Sequence, residues 1–176
     1  MDAEMRVYVG TYKKYNEGSI FGKWLNILDY DDIDEFYEAC RELHKDEDDP
    51  EFMFQDWEYI PDEYISECSI DKEIFDIARE IEDSRTVNLD MFYEYVKWKG
   101  GGEANIVSNC EDSFVCKSDD YDSMIEDQAQ ETAYCYVYSK DRGKDWILNH
   151  LDWDKIKDEI AEDYYLAGDY VFREDY

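Results

Sequence analysis

Cationic side chains are scarce in this sequence: 18 Lys and Arg stand against 48 Asp and Glu, for a formal net charge of -30 over 176 residues. That deficit excludes ordinary nucleic-acid binding, which relies on Lys and Arg at the phosphates. Anionic membrane surfaces would repel the chain for the same reason. Apolar runs are short as well, none approaching the roughly 20 residues that cross a bilayer. The opening MDAEMR has no basic-then-apolar leader pattern. Cys40, Cys68, Cys110, Cys116 and Cys135 are odd in number and form no C-x-x-C pair, which fits free thiols in a reducing cytoplasm.

Residues that commonly carry chemistry are equally few. His44 and His150 are the two histidines, and neither has a partner at metal-ligand spacing. There is no Gly-rich phosphate loop and no nucleophile elbow. The densest carboxylate runs, Asp46-Glu47-Asp48-Asp49 and Asp119-Asp120-Tyr121-Asp122, invite a calcium test. An EF-hand loop begun at Asp120 puts Ile125 where glycine is required, with Glu131 at its twelfth position. No cofactor, no metal and no catalytic residue is expected, so the chain does not read as an enzyme.

Aromatics, in contrast, are abundant. With 17 Tyr, 8 Phe and 5 Trp they form 17% of the chain, large surfaces that can be buried while a polar tip stays wet. Mean hydropathy of -0.80 and the high charge would by themselves indicate disorder. The aromatics, with only two prolines and eight glycines, indicate a folded protein with thin cores shared among small modules.

The charge is concentrated between Asp29 and Glu67, where seventeen acids face only Arg41 and Lys45. These acids are Asp29, Asp31, Asp32, Asp34, Glu35, Glu38, Glu42, Asp46, Glu47, Asp48, Asp49, Glu51, Asp56, Glu58, Asp62, Glu63 and Glu67. The same stretch is patterned to fold. Ile33, Phe36, Tyr37, Cys40 and Leu43 recur at helical spacing, and Phe52, Phe54, Trp57 and Tyr59 crowd a strand-like segment. A folded scaffold therefore holds carboxylates at fixed positions, and they are the candidate partner-binding surface.

The rest of the chain reads as α+β in three small domains: α+β over 1–61, mostly helical over 62–103, and α+β over 104–176. Met5 to Val9 and Ser19 to Ile27 read as strands around an Asn16-Glu17-Gly18 turn. Asp31 or Asp32 is placed to cap a helix from about Ile33 to His44, and Pro50 separates it from a strand over Phe52 to Ile60. Ile70, Ile74, Ile77, Ala78 and Ile81 form one helical stripe; Leu89, Phe92, Tyr93 and Val96 form another behind an Asn88 cap. Gly100-Gly101-Gly102 is the linker candidate. Ile106-Val107 and Phe114 to Cys116 are short strand candidates, and Ser118 or Asp119 is placed to cap a helix carrying Tyr121, Met124, Ile125 and Ala129. A last helix capped by Asp152 carries Trp153, Ile156 and Ile160, and Tyr170 to Phe172 is a final strand. Trp153, Ile156, Ile160, Tyr164 and Tyr165 make an apolar stripe larger than a small module readily buries, hence a candidate dimer interface.

A solvated surface needs a net charge of magnitude about 2–8, and thirty uncompensated charges strain the compact state. Duplex DNA carries one negative charge per about 1.7 Å of axis, so thirty charges match about 50 Å of duplex and a dimer about 100 Å. Carboxylates on helix neighbours sit about 5–6 Å apart, and those on one face of a strand about 6.6 Å. Both spacings can stand in for successive phosphates. The physical reading is a DNA-mimicking inhibitor; the alternative is an acidic binding module or chaperone for basic nucleic-acid-binding proteins.

Several blocks also resemble a known family. Tyr8-Val9-Gly10-Thr11-Tyr12-Lys13-Lys14-Tyr15-Asn16-Glu17-Gly18, Gly22-Lys23-Trp24, Leu43-His44, Asp49-Pro50-Glu51, Gln55-Asp56-Trp57-Glu58, Leu151-Asp152-Trp153 and Gly168-Asp169-Tyr170-Val171-Phe172 are similar to the ArdA antirestriction proteins. The resemblance implies an elongated three-domain α+β protein, carried by a mobile element, that dimerises through its C-terminal domain in the bacterial cytoplasm. It further implies an acidic surface like bent B-form DNA that occupies the DNA groove of type I restriction–modification enzymes, at their methyltransferase core. One departure stands out. Where the family tends to show Arg-Asp-Leu after the aromatic at Trp153, this chain has Asp158-Glu159-Ile160.

Overall fold

Val7 and Val9 alternate with partly exposed Arg6 and Tyr8, as a strand with one face in a core requires. They lie on β1 (Arg6–Thr11), the centre of an antiparallel sheet with β2 (Lys23–Asn26) and β3 (Phe52–Glu58) in the order β2-β1-β3. The computed structural model describes residues 3–140 and 145–173 and divides into two compact units, Met1–Glu111 and Asp112–Tyr176.

The first unit contains 1–61 and 62–103 together. Between β1 and β2 the chain forms a short helix, α1 (Tyr12–Asn16), where the sequence indicated only a turn. Thr11 caps it, its side-chain oxygen accepting from the Lys14 N–H. The strand expected over Ser19 to Ile27 is confined to β2, because Ile27–Asp29 turns into a 3-10 helix capped by Asn26. Helix α2 (Ile33–Leu43) lies against the sheet as its periodicity predicts, with Phe36 and Cys40 fully buried. The Phe36 ring meets Tyr30, Phe54 and Phe75 at centroid distances of 5.5, 6.0 and 5.7 Å. Phe75 belongs to α3 (Glu73–Asp83), so the helical middle of the chain and the first sheet share one core.

Three further expectations change between Ile65 and Gly102. Ile70 does not begin a helical stripe: it pairs with Ile65 in a hairpin of β4 (Ile65–Ser66) and β5 (Ser69–Ile70), and the Asp71 carboxylate accepts from the Glu73 N–H at 2.9 Å to start α3. The buried face of α4 (Leu89–Lys99) is Met91, Phe92, Tyr95 and Val96, with Leu89 and Tyr93 half-buried, although Asn88 caps it as expected, accepting from Met91 at 3.0 Å. The triple glycine is structured: Gly100 stops α4 with φ +90°, and the Gly102 N–H donates to the Tyr64 hydroxyl at 2.9 Å.

Ile106 and Val107, expected in a strand, instead open α5 (Ile106–Ser113). Buried Cys110 lies four residues beyond Ile106, so the apolar set follows a helical rather than a strand period, and burial overrides the β preference of two branched residues.

In the second unit β6 (Phe114–Lys117), β7 (Tyr164–Ala167) and β8 (Tyr170–Arg173) form an antiparallel sheet in the order β6-β8-β7. Strand β7 was not apparent in the sequence. Helix α6 runs from Tyr121 to Lys140, far beyond the Tyr121-to-Ala129 segment its first turns indicated. Its Ala133 and Val137 form a small core with Leu148 of α7 (Asp145–Leu148), covered by Ile147, Leu151 and Trp153. Helix α8 (Trp153–Ala161) begins at Asp152, whose carboxylate accepts from the Lys155 N–H at 3.2 Å.

Candidate functional site

The acidic stretch Asp29–Glu67 is one continuous piece of the first unit: the end of the 3-10 turn, α2, the loop to β3, β3 itself and the segment through β4 to its hairpin turn. On α2, Asp34, Glu38 and Glu42 follow one another at four-residue spacing along the side opposite Phe36 and Cys40. Each repeat advances about 6 Å along the axis. Like charges at this spacing cost a helix a few tenths of a kcal/mol per pair. Local devices offset that cost. The Asp32 carboxylate accepts from the N–H groups of Asp34 and Glu35 at 2.9 and 3.0 Å, while Glu35 reaches back to the Asp31 N–H at 2.9 Å. Asp34 and Glu35 lie in the first turn, where the helix dipole favours anions. Glu42, at the unfavourable end, pairs with Lys45 at 2.6 Å.

Fifteen of the seventeen acids are exposed; Glu47 and Glu58 are half-buried. Glu47 departs furthest from a presented charge. Its side chain is 6% exposed, accepts from the Thr11 hydroxyl at 2.8 Å and faces the Lys14 ammonium at 3.4 Å. Lys14 also binds Asp46 at 2.7 Å, and that hydrogen bond holds the Asp46 carboxyl below its ordinary value. Burial alone would lower the Lys14 ammonium, yet its bonds to Asp46 and Glu47 hold it above its usual value. Glu58 accepts from Arg6 at 2.8 Å, and Asp31 lies 3.9 Å from Arg79. Asp62 accepts from the Trp57 indole N–H at 3.1 Å. For the twelve acids of the set other than Asp31, Glu42, Asp46, Glu47 and Glu58, the described residues place no cation within ion-pair distance.

His44, which sequence reading placed at a helix end, ends α2 and is fully buried. Lys14 Nζ donates to Nδ1 at 3.0 Å, which leaves Nε2–H to donate to the Val9 carbonyl at 3.2 Å. The ring is thereby fixed as one neutral tautomer, and burial holds its pKa below the usual value.

Of the five thiols, Cys40 and Cys110 are buried, Cys116 is half-buried, and Cys68 and Cys135 are exposed. Among the described residues, no group of three or more His, Cys, Asp or Glu is placed to hold a metal ion. Burial pushes the Cys40 and Cys110 thiols up to about 12, so neither is a nucleophile at neutral pH. A cavity of about 450 Å³ opens between the 3-10 turn, α3 and α4, lined by Leu28, Ala78, Ile81 and Val87. Its Ser84 and Asn88 side chains already accept from the Val87 and Met91 N–H groups.

In the second unit Trp153, Ile156, Ile160 and Tyr164 are half-buried and Tyr165 is 40% exposed. Trp153 packs on the unit's own small core while keeping part of its ring open. Sequence reading missed further exposed aromatics in this unit: Tyr134 and Tyr138 on one side of α6 are 45% and 41% exposed, Tyr136 on the other side is 68% exposed, and Trp146 is 60% exposed. Tyr134 and Tyr138 stack at 5.8 Å. The signal was the run Tyr-Cys-Tyr-Val-Tyr, whose residues four apart meet only once the segment is known to be helical.

No described helix is long and apolar enough to cross a membrane. No curated protein and no solved structure matches the chain. The profile of the family described as antirestriction protein (ArdA) matches residues 7–175, nearly the whole chain. With that coverage, the chain belongs to the ArdA antirestriction protein family.

Proposed function

We propose that this ArdA protein acts as a charge and shape mimic of B-form DNA. It inhibits type I restriction–modification enzymes by occupying the DNA-binding groove of their methyltransferase core, in the cytoplasm of a bacterial host. The observation that carries this reading is the exposure of fifteen carboxylates on a folded helix–loop–strand segment whose opposite side is core. A disordered acidic tail would need none of that packing. Capping by Asp32 and burial of Phe36 hold the charges in place before a partner arrives, so less ordering entropy is lost on binding.

The same proposal includes an elongated chain, in which the expected parts 1–61 and 62–103 share the core of the first unit ahead of 104–176, and a homodimer formed through Trp153, Ile156, Ile160, Tyr164 and Tyr165. Exposed Tyr134 lines a pocket with Trp153 and stacks on Tyr138, which extends the apolar surface available to it. Small-angle scattering tests shape and mass together: a compact globule of monomer mass at micromolar concentration contradicts both.

Competition tests the function. A mimic displaces labelled duplex from a purified type I methyltransferase core at near-stoichiometric amounts. An acidic chaperone would instead bind histone-like proteins as tightly as that core, and equal affinities would reject the mimic.

A further inference from the structure

One part of the first unit reverses the charge of the whole. Residues 12–24 contain Lys13, Lys14 and Lys23 against Glu17 alone, within a chain of net charge -30. Lys14 is spent internally on Asp46 and Glu47. Lys13 and Lys23 are exposed, and among the described residues no carboxylate lies within ion-pair distance of either. Between them stand three large apolar side chains open to solvent: Tyr15 at 54%, Ile20 at 82% and Phe21 at 51%.

The loop carrying Ile20 and Phe21 is built to hold them out. The Tyr8 hydroxyl donates to the Ile20 carbonyl at 3.0 Å, and Ser19 Oγ accepts from the Phe21 N–H at 3.1 Å. The Ser19 N–H returns to the Lys14 carbonyl at 2.9 Å. Gly22 lies so close to β1 that a Cβ there would stand 2.6 Å from the Val9 carbonyl oxygen. One side of Phe21 is braced, with Lys14 Nζ 4.8 Å from its ring and His44 meeting it edge-on at 5.7 Å. A fixed loop that keeps an isoleucine four-fifths in water gains nothing for its own core.

We propose that this lysine-flanked apolar knob is a second docking surface, separate in chemistry from the acidic one. Its occupant is an apolar patch rimmed with carboxylates on the same restriction–modification enzyme, beside the DNA groove rather than in it. Charge complementarity decides the placement: a groove that accepts phosphates repels Lys13 and Lys23, so the knob seats on a neutral-to-acidic surface. The acidic face would then supply encounter and the knob residence time. The inference rests on the DNA-mimic reading.

Two variants read by direct binding to a purified methyltransferase core test it. Ile20→Ser removes only an exposed side chain and is expected to weaken binding about tenfold with the salt slope unchanged. Lys13→Glu with Lys23→Glu makes the protein still more acidic. Mimicry alone then gives tighter binding, whereas the knob gives binding about threefold weaker or more. Wild-type or tighter binding by both variants overturns the knob and leaves the mimic standing. Unchanged core binding with loss of self-association in Ile20→Ser assigns the surface to a second copy and also overturns it. Failure of the wild type to displace duplex from the core removes the mimic reading, and this partner with it.

Discussion

His44 shows how much one residue can be asked to hold in a protein of this charge. It ties the end of α2 to the Val9 carbonyl of β1 and accepts from Lys14, itself bound to Asp46 and Glu47. Phe21 and Phe52 border the ring. Protonation would point a new N–H at the Lys14 ammonium. Its pKa is lowered in the fold, so between that value and about 6.5 the unfolded chain binds a proton that the folded chain does not. Stability contributed by neutral His44 is full above about pH 6.5 and falls as the pH drops through that window. Urea midpoints for the first unit should fall between pH 7.5 and pH 5.5, and His44→Gln should flatten that slope; equal slopes would remove His44 as the cause. Asp32 makes a simpler prediction. It satisfies two N–H groups at the start of α2, so Asp32→Ala should cost about 1 kcal/mol in denaturant unfolding, with Asp32→Asn costing less.

At the scale of elements, α2 was legible because three signals agreed: apolar period, an Asp cap and a proline beyond its end. Helix α8 was legible for the first two. Strand β7 and the long run of α6 were not, and the reason is physical. Helix α6 buries a row at Ile125, Ala129, Ala133 and Val137, but from Ala133 to Tyr138 every residue is apolar or aromatic, so the period that marks its first turns is lost in its second half. The Tyr-Cys-Tyr-Val-Tyr run alternates as a strand does until stacking of Tyr134 on Tyr138 shows the helical spacing. The hairpin at Ile65–Ile70 is only two residues per strand, below what alternation can reveal. Among the site residues, exposure of the acids was readable from polarity. The inward turn of Glu47 was not, since it depends on Thr11 and Lys14, more than thirty positions away. The same limit hid the α6 tyrosines, which now sharpen the dimer proposal. If they contribute to self-association, Tyr134→Ser with Tyr138→Ser should lower the dimer fraction in sedimentation as much as Trp153→Ala does, and the second should also loosen the core of its own unit. A dimer untouched by both sets would exclude these surfaces.

At the scale of the whole molecule, the mimic proposal has thirty net negative charges act as a field rather than as a set of contacts. Exposed ion pairs are worth about 0–1 kcal/mol each, so Asp48→Asn should weaken inhibition by at most about fivefold. Neutralising ten of the exposed acids across Asp29–Glu67 should cost several kcal/mol in sum, because neighbouring positions such as Asp34, Glu38 and Glu42 contribute to the same potential. Association should slow steeply with salt, since steering beyond the Debye length of about 8–10 Å is screened at physiological ionic strength. The slope should nevertheless be shallower than for duplex DNA. Carboxylates spread over a protein surface are less dense than phosphates and condense fewer counterions to release on binding. The measurement is inhibition titrated against ionic strength for the wild type, the Asp48 variant and the tenfold variant, with duplex as the reference. Loss of all inhibition from the single substitution, in a protein that still folds, would replace the distributed field with one indispensable carboxylate.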